Sequence, residues 1–522
     1  MPQQPQNKPL SFSTTMRNPE RIAHFLEVIS VHEGKILTNE LIDEVVATLI
    51  QKKLYIPMVV TRRPDWRALL DTAEYFDRGT ALEIMRLSPQ SHKEAGFDKG
   101  WPSRFDTWYK LPMEFGFLYY EIGAPIQIST TGHMLIDAIR EETPNDEKIQ
   151  KVFLNALMKY QTSNPFRKNA NDNVPLPLLL NVIKLLKEDE SENGAGIYRS
   201  ELSFIICAPD NDAKKIYYQI KQLRREYGFN YGEEIVYNIC LGMLGAREDQ
   251  RNRFKMSQIT GEAVDEFIRK MRITGVVSLR GNGRFLDFNT FEKDNIEYIL
   301  ENYTEYNKYP TKKDFFDYMG QIDSNILKSV VVTKKQLEDV KQRTLLNWAT
   351  NNSFETIAEE LKITCSSRES RNNTLRIMSK PTRFEFLTSV MLKQKFPELE
   401  VRPNYNVDDE GLPTFTASGG LADIECFDDD ANPLVEVTLM TSTNQAKNEI
   451  PAITRHLEDA ALQYPDKYVY SLFIAPSIHR DTVYMINFSK SHCGVDIFAY
   501  DTDRFISCVR SASSLKEVIN FV

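Results

Sequence analysis

The chain has no apolar run of about 18 residues, the length a membrane-spanning helix needs, and its opening stretch MPQQPQNKPL has no basic segment followed by an apolar one. Membrane insertion and secretion are therefore not expected, and the cytoplasm is the expected compartment. Cysteine is sparse: Cys207, Cys240, Cys365, Cys426, Cys493 and Cys508 stand far apart, with no CxxC and no Cys/His spacing. That pattern predicts reduced, mostly buried thiols and excludes a zinc site or a disulfide framework. No repeat of fixed period occurs, which removes solenoids. Positive charge is also missing overall, the formal net charge being -9.

What is present fits a folded protein of several domains. At roughly 100 to 200 residues per domain, 522 residues suggest about three. A 42% hydrophobic and 26% charged composition excludes fibrous and wholly disordered chains. The acidity is unevenly spread. From Arg376 onward there are 14 basic and 21 acidic residues, against 50 and 52 before it. Net charge governs nonspecific attraction, whereas reading a nucleic-acid groove needs local basic patches, so the near-neutral first part remains compatible with DNA binding.

Asn18-Pro19-Glu20-Arg21 leads into Ile22, Phe25, Leu26 and Ile29 at helical spacing, with Asn18 as the expected cap and Pro19 in the first turn. A second helix is predicted from Asn39 to Lys52. Residues 126–136 read as a strand turning into a helix, as at the end of a winged-helix module. Residues 263–271 are amphipathic, and Val276 to Phe288 reads as a hairpin turning at Gly281-Asn282-Gly283. Between Ser329 and Lys380 the chain is helical and polar, with a linker at Cys365 to Asn373. From Pro381 the pattern becomes helix (382–395), strand (420–427), strand (434–439), helix (446–462), strand (468–474). This alternation predicts an α/β domain with a central mixed sheet.

Two acids in that region stand out. Asp423 lies in Leu421-Ala422-Asp423-Ile424-Glu425, and Glu436 thirteen residues on in Leu434-Val435-Glu436-Val437-Thr438, with the acidic turn Asp428-Asp429-Asp430 between them. An isolated strand acid is usually a solvated one. Apolar neighbours enclose both of these, which makes their charge costly and a bound cation the simpler explanation. Two carboxylates projecting from the strands of a hairpin are what a Mg2+ site for phosphodiester hydrolysis requires.

These segments, with Phe384-Glu385-Phe386-Leu387-Thr388, Gln445, Lys447, Glu449, Thr454-Arg455-His456, Leu472-Phe473-Ile474-Ala475-Pro476 and, near the other end, Arg17-Asn18-Pro19-Glu20-Arg21 and Glu33-Gly34, resemble the AlwI-like type IIS restriction endonucleases, a group that includes nicking enzymes. The resemblance implies a nuclease domain of the PD-(D/E)XK superfamily. It implies that Asp423, Glu436 and the Val437 carbonyl hold Mg2+, that Glu385 and Glu449 are acidic partners from flanking helices, and that His456 contacts the phosphate or a water. Thr438 departs from the pattern, which commonly has lysine there; Lys447 or a second metal ion are the substitutes. Each satellite has a plain alternative. Thr382 and Glu385 form a capping-box pattern, Glu449 suits an exposed first-turn acid, and His456 suits a surface pair with Arg455.

For DNA contact the candidates are Arg17, Arg62, Arg63, Lys99, Arg104 and Lys110, the last three near Trp101 and Trp108, and Arg280 and Arg284 at the hairpin. Arginine can take guanine bidentately, and lysine mostly anchors phosphates. Taken singly, each is a solvated charge. The expected order is two winged-helix-like, α-rich DNA-recognition subdomains (1–145 and 146–330), a helical linker (331–380) and the α/β nuclease domain (381–522). The expected activity is cleavage of double-stranded DNA at a fixed distance from a short asymmetric site. Cutting the second strand would require a transient homodimer or a small nuclease subunit. The alternatives are a strand-specific nicking subunit of a heterodimer, a DNA-binding regulator with a dead nuclease domain, and a repair nuclease of the same superfamily.

Overall fold

The computed structural model describes residues 6–12, 19–73, 75–94, 96–140, 145–192, 194, 196–246, 253–328 and 332–521. Arg17 and Asn18 lie outside them. The chain forms two compact units, one of residues 1–46, 89–141 and 145–331, the other of 47–88, 142–144 and 332–522. Most of both expected recognition subdomains lies in the first of these units. Residues 47–88, expected in the first subdomain, belong to the other.

A helix, Pro19–Ser30, opens the first unit, and Ile22, Phe25, Leu26 and Ile29 are fully buried as their spacing demands. Ile36, in the turn that follows, forms an isolated antiparallel bridge with Pro125; then come helix Asn39–Gln51, whose end from Ala47 falls in the other unit, helix Trp101–Glu114, and the hairpin β1 (Leu118–Tyr119) and β2 (Gln127–Ile128). Beside that bridge Gly34 N donates to Ile126 O at 2.9 Å, and Leu37 N to Ala124 O at 2.9 Å. Farther along come helix Pro175–Glu188, β3 (Ile197–Tyr198), helix Leu202–Ile206, an insertion carrying helices Ala213–Tyr227 and Glu233–Met243, helix Ala263–Ile273, and the hairpin β4 (Val277–Arg280) and β5 (Phe285–Phe288). Here β3 pairs with β5 of the hairpin, the sheet order being β3-β5-β4. Gly281, Asn282 and Gly283 all have positive φ, the backbone that this tight turn needs and that Gly and Asn tolerate best.

In the second unit, helices Lys334–Asn351 and Phe354–Thr364 pack on helix Lys380–Lys395. Leu345, Ile357 and Leu361 are buried, Trp348 meets Phe386 edge to face at 5.1 Å, and Gln394 Nε2 donates to Ala349 O at 2.8 Å. These two helices, within the stretch 331–380 expected as a helical linker, thus pack in the same unit as the sheet that follows. The strands are β6 (Glu400–Pro403), β7 (Tyr405–Val407), β8 (Pro413–Ala417), β9 (Ile424–Phe427), β10 (Ala431–Val437), β11 (Tyr468–Ala475) and β12 (Ile497–Asp501). Five of them form the expected mixed sheet, ordered β12-β11-β10-β9-β6. β10, β11 and β12 run parallel, and β9 and β6 are antiparallel to their neighbours. The strand expected from Gly420 begins only at Ile424, after a turn in which Leu421 is exposed. Ile450, Ile453, Leu457 and Ala460 of helix Ile450–Gln463 pack with Leu434 and Phe473 of the sheet in one apolar cluster.

The first unit also buries an ion pair. Arg224 donates from Nε and Nη2 to the two carboxylate oxygens of Glu201 at 2.8 and 2.6 Å, and Tyr231 and the Tyr198 amide complete the shell. Burial pushes Glu201 up in pKa, and the Arg224 guanidinium opposes that. Removing one partner strands the other charge, so Arg224→Met should cost about 3–5 kcal/mol of stability. Arg225→Gln, one residue on and exposed, should change it by less than about 0.5 kcal/mol. Denaturant unfolding of the two variants checks this, and equal effects would contradict the buried pair's role.

Candidate active site

The hairpin β9–β10 pairs Leu434 with Glu425 and Val435 with Ile424, so one step further along Glu436 stands opposite Asp423. Directly opposed residues of an antiparallel pair point to the same face, and the thirteen-residue spacing is what puts these two there. Their backbones lock each other. The Val437 amide donates to Asp423 Oδ2 at 2.7 Å, and the Asp423 amide to Glu436 Oε2 at 3.3 Å. Asn404, between β6 and β7, holds the same segment from behind, donating from Nδ2 to Ala422 O at 2.8 Å and from its amide to Asp423 O at 2.9 Å. Asn404 had no local signal in the sequence, since only the pairing of β6 with β9 brings it near.

Glu436 shares its strand face with Leu434, which packs in the cluster with helix Ile450–Gln463. That same helix delivers His456, whose Nδ1 lies 2.8 Å from Glu436 Oε1. A carboxylate oxygen accepts, so in this contact the ring nitrogen Nδ1 is the donor. The surface-pair reading of His456 is therefore replaced: Arg455 is exposed, His456 is not. Glu449 closes the π-helical turn Gln445–Glu449 and accepts from Thr438 Oγ1 at 3.0 Å. It is no exposed helix acid. The neutral residue at the departure position thus has a definite task, tethering Glu449. Lys447 is exposed on the same turn.

Glu385 is buried in helix Lys380–Lys395 and accepts from the Ala417 amide of β8 at 2.9 Å. The capping-box alternative fails, because Ser379 caps this helix by accepting from the Thr382 amide. Gln445, fully buried, donates to Met440 O and Ser477 O at 2.6 and 2.7 Å and accepts from the His479 amide and Thr482 Oγ1, each at 2.9 Å. It ties the loop after β10 to the loop after β11, a role the sequence did not reveal.

Electrostatics follow from this crowding. Burial pushes Asp423 well above the usual carboxylate range, the charges of Glu385 and Glu436 add to it, the Val437 amide opposes it, and Glu449 contributes last. Glu449 is raised too, first by burial, then by Glu436, against the Thr438 hydrogen bond and His456. Among the described residues no group of three His, Cys, Asp or Glu side chains forms a ready cation cage. The donors available at the hairpin are two carboxylates and the Val437 carbonyl, all hard oxygens. Such a partial shell suits Mg2+, which keeps several of its waters.

The DNA candidates are dispersed. Arg62 is exposed, but Arg63 pairs with Asp65 at 2.6 Å and stacks over Trp66 at 3.8 Å, and both belong to a different unit from Lys99, Arg104 and Lys110. Trp101 and Trp108, expected as aromatic contacts beside Lys99, Arg104 and Lys110, are buried core residues. Within the hairpin Arg280 donates to Phe288 O at 2.8 Å and Arg284 Nε to Gly281 O at 3.0 Å; Arg284 and Lys99 are exposed.

A carboxylate raised in pKa favours the folded state only while protonated, so its contribution is lost as pH rises through the folded value. Metal-free protein should therefore lose stability as pH rises through the raised Asp423 and Glu449 values. Asp423→Asn keeps the acceptor for the Val437 amide and removes a charge, and should melt higher than wild type in chelator at pH 8. A lower melting temperature for Asp423→Asn would show that the carboxylate is not held against repulsion.

The AlwI restriction endonuclease family model matches residues 113–353 and 318–507. Among solved structures, the small subunit of the heterodimeric restriction endonuclease R.BspD6I matches at 21% identity and a TM-score of 0.27, over 32% of this chain and 87% of that one. Restriction endonuclease FokI matches at 9% identity and 0.28, and FokI bound to DNA at 11% and 0.25, each over 99% of this chain and 98% of that one. No match was found among the curated proteins. The family match spans well over half of the sequence, and the chain belongs to the AlwI restriction endonuclease family.

Proposed function

We propose that this restriction endonuclease is of type IIS: the unit of residues 1–46, 89–141 and 145–331 binds a short asymmetric double-stranded DNA site, and the other unit, with a PD-(D/E)XK nuclease domain at 381–522, hydrolyses a phosphodiester bond at a fixed distance outside it with Mg2+. The observation that carries the reading is the opposition of Asp423 and Glu436 across adjacent strands, with Glu385, Glu449 and His456 gathered around them. A regulator with a dead nuclease domain gives no reason to assemble these charges. Two winged-helix-like subdomains are supported by the two hairpins that follow helices, each paired with a segment earlier in the chain: an isolated bridge of Ile36 with Pro125 in the first, and β3 with β5 in the second. Lys99 and Arg284, both exposed, remain proposed DNA contacts; Arg62, Arg104 and Lys110 are weaker ones.

Asp423, Glu436 and the Val437 carbonyl would hold the Mg2+, which when bound polarises a phosphoryl oxygen and acidifies a water. The chain's own groups do the rest. The Val437 amide orients Asp423, and the His456 Nδ1 proton orients Glu436. Glu449, raised in pKa and held by Thr438, is the group suited to receive the proton of the attacking water, in place of the lysine the superfamily commonly uses. Every group of this site lies in one unit of one chain, so one site cuts one strand, and a second copy or a small subunit would cut the other.

Digestion of a supercoiled plasmid library with Mg2+, with every product end mapped by sequencing, tests this. Ends at a constant offset from one short asymmetric word are expected, and Asp423→Asn should slow cleavage at least about 1000-fold, or about 4 kcal/mol in barrier. Defined binding with intact plasmid would refute the enzyme assignment. His456→Ala should cost about 10–100-fold in activity and raise the Mg2+ concentration for half-maximal cleavage, because an outer partner orients the metal ligand. An unchanged Mg2+ dependence would remove His456 from that role.

A further inference from the structure

Helix Ala213–Tyr227 carries Lys214, Lys215, Lys221, Arg224 and Arg225 against one acid, Glu226. Ile216, Ile220 and Leu223 are buried on its inner side, toward helix Pro175–Glu188. Two of its cations have internal partners: Lys221 pairs with Asp189, and Arg224 with Glu201. Lys214, Lys215 and Arg225 remain exposed. They share a face with Tyr218, 63% exposed, and Gln222, since positions 214, 218, 222 and 225 recur at helical spacing. The flanking acids are engaged, Asp212 as the N-cap accepting from the Lys215 amide and Glu226 as an acceptor from Gln222 at 3.0 Å. Tyr218, Gln222 and Arg225 line an open groove of about 800 Å3 with Lys221 and Phe229.

This face is fastened to the β4–β5 hairpin. Phe229, just past the helix, meets Phe285 of β5 at 5.3 Å and Tyr198 of β3 at 5.4 Å, and Arg224 stacks over it at 5.0 Å. The Arg199 amide donates to Arg284 O at 2.7 Å, so exposed Arg284 at the turn is anchored to the same block. By contrast, helix Ala263–Ile273, which directly precedes the hairpin, has Glu266, Lys270 and Arg272 buried at 3, 0 and 8% exposure. These three side chains face protein.

We infer that the outer face of helix Ala213–Tyr227, with Arg284, docks on duplex DNA: Lys214, Lys215 and Arg225 take backbone phosphates, and Tyr218 and Gln222 lie between them against the strand. Charge complementarity commits the occupant. Three exposed cations on one helix face, with a protruding tyrosine between them, match a polyanion with regularly spaced charges. The inference rests on the proposed DNA-binding role of this unit and deepens it, placing the contact on an inserted helix rather than on the one before the hairpin.

Each phosphate contact contributes about 0.9 to the slope of log K against log salt. The full-length triple variant Lys214→Gln/Lys215→Gln/Arg225→Gln should therefore flatten that slope by about 2.7, and weaken binding to cognate and unrelated duplexes alike, with an unchanged melting temperature. Arg225→Gln alone should flatten it by about 0.9, which keeps the test valid if the triple variant folds poorly. Lys293→Gln, at an exposed lysine paired with Glu297 on another helix, should leave the slope unchanged. A wild type that binds duplex with a salt-dependent affinity, and variants with the same slope, would overturn this inference alone. A wild type that binds no duplex at any salt would overturn the DNA-binding role of the unit as well. Tight binding of an acidic protein, with DNA affinity untouched by the variants, would also overturn it.

Discussion

Two carboxylates facing each other across an antiparallel hairpin repel, and the structure around Asp423 and Glu436 reads as the set of constraints that keeps them together. The Val437 and Asp423 amides fix the carboxylates to the opposing backbone, Asn404 fixes the segment before β9, and His456 holds Glu436 from the packed helix. Leu434, Ile453, Leu457 and Phe473 form the apolar cluster that sets that helix on the sheet. Stability given up at such a cluster is the usual mark of a site kept for function. Neutralising the repulsion is what a divalent cation would do, and the same charge is what phosphodiester hydrolysis asks for.

The pair itself was legible because a hairpin is a local event. Thirteen residues with an acidic turn between two apolar strands define the register, and register defines the face. The satellites were not legible from the residues alone. Glu385 sits in a capping-box pattern with Thr382, yet Ser379 caps the helix and Glu385 turns inward to β8. Glu449 and His456 come to the carboxylate pair only through the π-helical turn and the packing of helix Ile450–Gln463, and Asn404 only through the pairing of β6 with β9. Local propensity carries no information on such long-range contacts.

The first unit shows the same limit from the other direction. Its hairpin turn, with three successive positive φ angles at Gly281, Asn282 and Gly283, was readable at once. The tryptophans near Lys99, Arg104 and Lys110 are expected as aromatic groups of a DNA contact, but Trp108 is fully buried and Trp101 nearly so, since large aromatic area is first of all core material. In the stretch 331–380, expected as a helical linker, two polar helices pack on helix Lys380–Lys395 through a few apolar positions, Leu345, Trp348, Ile357 and Leu361 among those buried, which overall polarity does not reveal. A tally of charges likewise hides which cations are bound internally, as Arg63, Arg224 and Arg280 are.

The most direct test of the coupled carboxylate cluster is calorimetric titration of Mn2+ into metal-free protein in two buffers of different ionisation enthalpy, which counts the protons released on binding. Because Asp423 and Glu449 are raised in pKa, metal should displace protons from them, more at low pH than at high, and the release should fall in Asp423→Asn. Binding without proton release at any pH, or release unaffected by Asp423→Asn, would contradict the account.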